Sequence, residues 1–138
     1  MKILKNWDNK NWLSSQSYIN AFNNFLLKKK KLNKNSQILD IGCGRGKIFG
    51  SLSRKLKLIN KPIGIDPVDH KNVDNSIEFK NEDVFKLFKT SKNKFDLIMI
   101  KQTIHFFNKN KRFKLIKICK KNLKKNGVLI IFSLNTLN

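Results

Sequence analysis

The residues best suited to chemistry in this chain form one run, Asp40-Ile41-Gly42-Cys43-Gly44-Arg45-Gly46. Glycines at every second position let a backbone turn sharply and approach a ligand with no side chain between them. A dinucleotide fingerprint has the spacing G-x-G-x-x-G and would need glycine at 47, where Lys47 stands. Asp40, two residues ahead of the first glycine, suits a ligand bearing an ammonium group and would repel a pyrophosphate. Two further acids follow. Asp66 comes close to the ~20-residue interval at which an acid meets a ribose, and Asp83 stands beside Glu82.

These acids need strands to place them. Residues 37–41, 62–65, 77–79 and 95–100 read as short apolar strands, the last buried on both faces. Residues 47–58 have helical periodicity through Ile48, Leu52 and Leu56. Residues 109–123 are expected as a helix with Phe113, Ile116 and Leu123 on its stripe. Asn126-Gly127 then turns into a fifth strand from Val128 to Phe132. Before the first strand, a helix over about residues 12–32 is expected to bury Leu13, Ile19, Phe22, Phe25, Leu26 and Leu27, capped by Ser14 or Ser15. Its basic end at 28–31 complements the helix dipole. Strand–helix alternation implies right-handed crossovers and an α/β fold: a doubly wound, mainly parallel sheet of about five strands with flanking helices. One domain over 1–138 accounts for the length, with 1–34 as an N-terminal helical lid and 35–138 as a cofactor-binding core. Asp40, Asp66 and Asp83 then fall at three successive strand ends, where ligands bind in such sheets.

From about Asn35 to Phe132 the chain resembles the class I S-adenosylmethionine-dependent methyltransferases, a resemblance that implies a Rossmann-like sheet with the strand order 3-2-1-4-5. The first loop matches that family's first motif, Gly64-Ile65-Asp66 the second and Glu82-Asp83-Val84 the third, while Phe95-Asp96-Leu97-Ile98-Met99-Ile100 is similar to its fourth strand. The resemblance implies S-adenosyl-L-methionine as cofactor, with Asp40 and Gly42 at its methionine end and Cys43, Gly44 and Gly46 shaping the loop. It implies Asp66, followed by Pro67, at the ribose, Asp83 and Val84 at the adenine, and Lys101 and Gln102 lining the transferred methyl. His105 is the candidate general base, with a structural role among the aromatics as the other reading. Trp7, Trp12 and Tyr18 either close over the cofactor or anchor the first helix. The family ordinarily continues past the fifth strand into a helix and an antiparallel hairpin, which this chain is expected to lack. The segment from Val128 to Phe132 would then be an apolar edge through which the chain self-associates.

Bulk properties narrow the partners. Hydrophobic residues make up 40% of the chain, yet the apolar runs are far short of the ~20 residues of a membrane span. No secretory signal is evident, so a cytoplasmic location is expected. Cys43 and Cys119 read as free thiols, and no metal site is expected from them with His70 and His105. The net charge of +21 invites a polyanion. Only Arg45, Arg54 and Arg112 are arginines, however, and the lysines are spread along the chain among many asparagines, as an AT-rich coding sequence would produce. A small-molecule methyl acceptor is therefore preferred over nucleic acid. Where enzymes that methylate base amines in DNA carry an Asp/Asn-Pro-Pro-aromatic motif, this chain reads Lys101-Gln102-Thr103-Ile104. The alternatives are a cofactor-binding domain without transfer activity and an RNA-directed methyltransferase.

Overall fold

The computed structural model describes residues 16–101 and 103–133. The expectations for Trp7, Trp12, Leu13, Ser14, Ser15 and Gln102 lie outside the described residues, as does the side chain of His105. The elements run α1 (Gln16–Lys29), β1 (Ile38–Ile41), α2 (Lys47–Leu56), β2 (Ile63–Ile65), β3 (Glu78–Lys80), α3 (Val84–Thr90), β4 (Phe95–Lys101), a 3₁₀ turn (Ile104–Phe106), α4 (Lys109–Lys121) and β5 (Leu123–Phe132). The strands form one parallel sheet in the order β3-β2-β1-β4-β5. This is the doubly wound parallel sheet that the alternation implied, in the Rossmann-like order that the family resemblance implied.

Alternating strand residues divide the core into two layers. Ile38, Leu97 and Met99 pack with Ile19, Phe22 and Leu26 of α1 and with Ile48, Phe49 and Leu52 of α2. Leu39, Ile41, Ile98 and Ile100 point the other way, toward Val84 and Leu87 of α3 and Leu115 and Cys119 of α4. Leu26, Leu39, Leu52, Leu97 and Leu115 are fully buried. Truncating any one to alanine is the kind of change that costs about 2–5 kcal/mol. β1 and β4 lie at the centre of the sheet, so Asp40 is carried on a strand with a neighbour on each side.

Several expectations change in the structure. Phe25 is exposed and Leu27 only half-buried, so the α1 face is narrower than the sequence pattern suggests. Tyr18 is half-buried against Phe22, with ring centroids 5.9 Å apart, which places it among the anchors of α1. In α4 the buried face is Leu115 and Cys119, whereas Phe113 is 68% exposed and Leu123 belongs to β5. Asn126-Gly127 is not a turn that starts the last strand. β5 begins at Leu123, opposite Phe95, and an irregularity then brings Val128 opposite Leu97. A side chain at Gly127 would come within 2.7 Å of the Phe95 carbonyl, so the bulge needs glycine there. α3 was not foreseen at all. β5 forms one edge of the sheet, with Val128, Leu129 and Ile130 half-buried and Ile131 exposed.

Candidate functional site

The glycine loop is held from inside the protein. The N–H groups of Gly42 and Cys43 both donate to the Ile65 carbonyl at the end of β2, at 2.8 and 3.2 Å. Gly44 N–H donates to Asp66 Oδ2 at 2.9 Å, and Gly46 N–H to the Cys43 carbonyl at 3.0 Å. From the side, Asp74 N–H donates to the Arg45 carbonyl, while the Asp74 carboxylate accepts from Arg54 at 2.7 Å. A phosphate-binding loop works by offering free N–H groups. Here four loop donors are already taken by protein acceptors, so the structure agrees with the glycine spacing in excluding a pyrophosphate cradle.

What the loop offers instead is negative charge. Asp40 is 1% exposed, and both its carboxylate oxygens lack a hydrogen-bond partner among the described residues. Burial raises its pKa to about 6, with the neighbouring Asp66 charge adding to the effect and the Lys101 charge opposing it. Unpaired buried carboxylates are costly, and a cationic ligand group is one way to satisfy them. Gly42, Gly44 and Gly46 all have positive φ. The space a side chain on Gly44 would occupy is open, whereas one on Gly42 would collide with Thr103. The loop therefore leaves open space at Gly44, four residues beyond a buried acid.

Beyond the ends of β1, β2 and β4 lies a cavity of about 330 Å³ lined by Ile41, Gly42, Ile65, Pro67, Val68, Glu82, Asp83, Val84, Thr103, Phe106 and Phe107. Its walls are mostly apolar, with the acids Glu82 and Asp83 among them. Such a shape accepts a flat apolar body with polar edges. The structure brings Pro67, Asp83 and Val84 together at this cavity with Gly42. Asp83 is also the N-cap of α3, with Oδ1 accepting from Phe85 N–H at 2.7 Å. Asp66 is similarly committed: it holds Gly44 N–H and Val68 N–H and sits 3.4 Å from His70 Nε2. A carboxylate has about four lone-pair sites, so capacity for a hydroxyl remains.

Cys43 takes part in the loop through its backbone. Its thiol is buried beneath the loop, donates to the Gly44 carbonyl and touches the space beside Gly64, and burial pushes its pKa upward. Lys101 ends β4 within electrostatic reach of Asp40. His105 lies in the 3₁₀ turn between two cavity-wall segments.

Sequence reasoning missed Val68, Thr103, Phe106 and Phe107 as cavity walls. The aromatic pair at 106–107 was visible, but nothing local showed which way it closes. Two contacts make that closure. Phe107 packs edge-on against Phe85 of α3, with centroids 5.9 Å apart. Arg112 Nε donates to the carbonyls of Ile104 and Phe107 at 3.0 and 2.7 Å, holding both ends of the turn from α4. Among the described residues no group of three or more His, Cys, Asp or Glu could hold a metal ion, and no helix is long and apolar enough to cross a membrane.

A family model described as a methyltransferase domain matches residues 39–131, and the chain belongs to that family. Among solved structures it is similar to the plantazolicin methyltransferase BpumL in complex with a pentazolic desmethylPZN analog and SAH, with TM-score 0.70 and 25% identity over 97% of this chain and 52% of that one. It is also similar in fold to a SAM-dependent methyltransferase from Archaeoglobus fulgidus, with TM-score 0.69 and 23% identity over 86% of this chain and 54% of that one. A third is PKMT2 from Rickettsia typhi in complex with AdoHcy, with TM-score 0.62 and 22% identity over 74% of this chain and 22% of that one. The chain thus spans about half or less of the length of these proteins. No curated protein matches it.

Proposed function

We propose that the chain binds S-adenosylmethionine and transfers its methyl group to a small-molecule acceptor by in-line displacement. The observation that carries this reading is Asp40, a buried carboxylate just ahead of the glycine loop whose two oxygens have no partner among the described residues. The residues present fit the cofactor. Asp40 would face its ammonium, Asp66 the ribose hydroxyls, and Asp83 the adenine amino group, with Val84 and Pro67 against the ring. When bound, the cofactor supplies an already activated methyl group. The protein's task is then to orient the reactants and keep water out. Where the acceptor must lose a proton, His105 is the proposed base.

Small-molecule transfer is supported by the likeness to BpumL, which was crystallised with a pentazolic desmethylPZN analog. A second reading, an RNA acceptor, is favoured by α4, which carries Lys109, Lys111, Arg112, Lys114, Lys117, Lys120 and Lys121 and no acid, with exposed Phe113 among them. The β5 edge is the surface through which we propose that a second copy pairs.

Titration calorimetry with S-adenosylmethionine tests the cofactor, and saturable binding is expected; its absence overturns both readings. Release of S-adenosylhomocysteine on adding small-molecule acceptors supports transfer. A steep loss of RNA affinity with salt, paired with RNA-dependent release, would favour the second reading over the first.

The turn that closes the cavity should respond to loss of its fastening. Arg112→Ala is expected to weaken S-adenosylmethionine about 3–10-fold, because the Ile104–Phe107 wall loses its two-carbonyl clamp while α4 stays packed through Leu115 and Cys119. Arg112→Lys should not restore affinity, since an ammonium on a flexible stem does not reproduce the fixed Nε–H shared between the two carbonyls. Calorimetry on both variants checks this. An unchanged affinity in Arg112→Ala would show that the turn needs no clamp.

A further inference from the structure

The Thr103 side chain brings a polar atom to the cavity wall. Its hydroxyl oxygen is buried and has no hydrogen-bond partner among the described residues. It lies against Gly42: a Cβ placed there would come within 2.9 Å of Thr103 Oγ1 and 2.2 Å of its Cγ2. The hydroxyl is therefore fixed beside the strand end that carries Asp40, and it also lines the cavity. A buried hydroxyl without a partner is destabilising unless a ligand supplies one.

The chemistry of the surroundings says what that ligand group should be. The acids of the site offer acceptors, which suits an ammonium, a hydroxyl or an exocyclic amine. An amino-acid moiety also brings a carboxylate, and a carboxylate needs donors. The N–H groups of Gly42, Cys43, Gly44 and Gly46 are already donated to protein oxygens. The Thr103 O–H is a donor with no such commitment, placed on the same glycine as the proposed methionine end. Resting on the S-adenosylmethionine reading, we propose that Thr103 is a binding residue that donates its hydroxyl hydrogen bond to the carboxylate of the cofactor's amino-acid moiety. Such a contact orients that end of the ligand and does not depend on the methyl acceptor.

Two nucleosides separate this role from a packing role. S-Adenosylhomocysteine carries the amino-acid moiety, and 5′-methylthioadenosine lacks it while keeping the adenosine. Thr103→Val preserves the shape against Gly42 and removes only the hydroxyl. By calorimetry on the full chain, the variant should bind S-adenosylhomocysteine about tenfold more weakly and 5′-methylthioadenosine as tightly as the parent. Thr103→Ser should recover most of the S-adenosylhomocysteine affinity. Without ligand, the melting temperature of Thr103→Val should equal or exceed that of the parent, since a partnerless buried hydroxyl has been replaced by a methyl.

An equal loss for both nucleosides, or no loss for either, overturns the assignment. A lower melting temperature in the unliganded valine variant also overturns it, because the hydroxyl would then be serving the fold. If the parent chain binds neither nucleoside, the cofactor reading itself fails and this contact falls with it.

Discussion

Asp40→Asn should make the unliganded protein more stable at pH 7 and make it a poor binder of S-adenosylmethionine. The buried carboxylate holds its proton up to about pH 6 in the folded chain, while an unfolded aspartate releases it near ~3.9. Between those values the folded state binds more protons than the unfolded one, so stability falls as pH rises through the window. At neutral pH the full penalty is present, and it is on the order of 1–2 kcal/mol once the buried amide of the variant is allowed for. Removing the charge should raise the melting temperature by roughly 3–8 °C at pH 7 and change it little at pH 4. Ligand binding has the opposite sign. An ammonium beside Asp40 favours the ionised form, so binding should release a proton below pH 6 and tighten about tenfold from pH 5 to pH 7. In the variant that pH dependence should vanish, with affinity at pH 7 reduced about 30-fold or more. Thermal melts at the two pH values and calorimetry at pH 5 and 7 measure all of this. A flat pH profile in the parent, with undiminished affinity in Asp40→Asn, would remove Asp40 from the site.

That much of the site was readable in the sequence because its information is local. The glycine spacing, the acid ahead of it and the acids at the ends of the next two strands are read along the chain, the parallel sheet follows from strand–helix alternation, and the five-strand order came with the family resemblance. What stayed hidden depends on tertiary contact. The stripe chosen for α4 placed Phe113 inward, but periodicity does not say which face meets the sheet, and Leu115 and Cys119 take the interior. The segment starting at Val84 is only seven residues long and contains no helix signal as clear as its cap, Asp83, which was read for its chemistry. Asn126-Gly127 carries turn chemistry, yet pairing of Leu123 with Phe95 starts the strand earlier and converts the glycine into a bulge residue. The commitment of Asp66 to Gly44 and Val68 is likewise invisible from residue type. So is the closure of Thr103, Phe106 and Phe107 over the cavity, which Arg112 secures from a different helix.

The same distinction between local pattern and tertiary contact predicts that two neighbouring glycines fail in different ways. Gly44 has φ +58° and nothing within 4 Å of the position a Cβ would take. Alanine there carries only the left-handed backbone penalty, about 1–2 kcal/mol, so Gly44→Ala should fold with a melting temperature lowered by several degrees. Its methyl group projects into the gap beside the loop, the gap the cofactor would fill, and S-adenosylmethionine affinity should fall more than ~100-fold, since ligand and methyl cannot share the space. Gly42 has φ +77°, and a Cβ there would lie 2.2 Å from Thr103 Cγ2. Threonine is branched at Cβ and has little rotational freedom to yield. Gly42→Ala should therefore lose about 3 kcal/mol of stability from strain and overpacking together, and it should displace Thr103 from the cavity wall. Chemical denaturation and calorimetry on the pair give the comparison: Gly44→Ala folded and non-binding, Gly42→Ala destabilised first. If Gly44→Ala binds as the parent does, the open space beside the loop is solvent, and the cofactor must lie elsewhere along the strand ends.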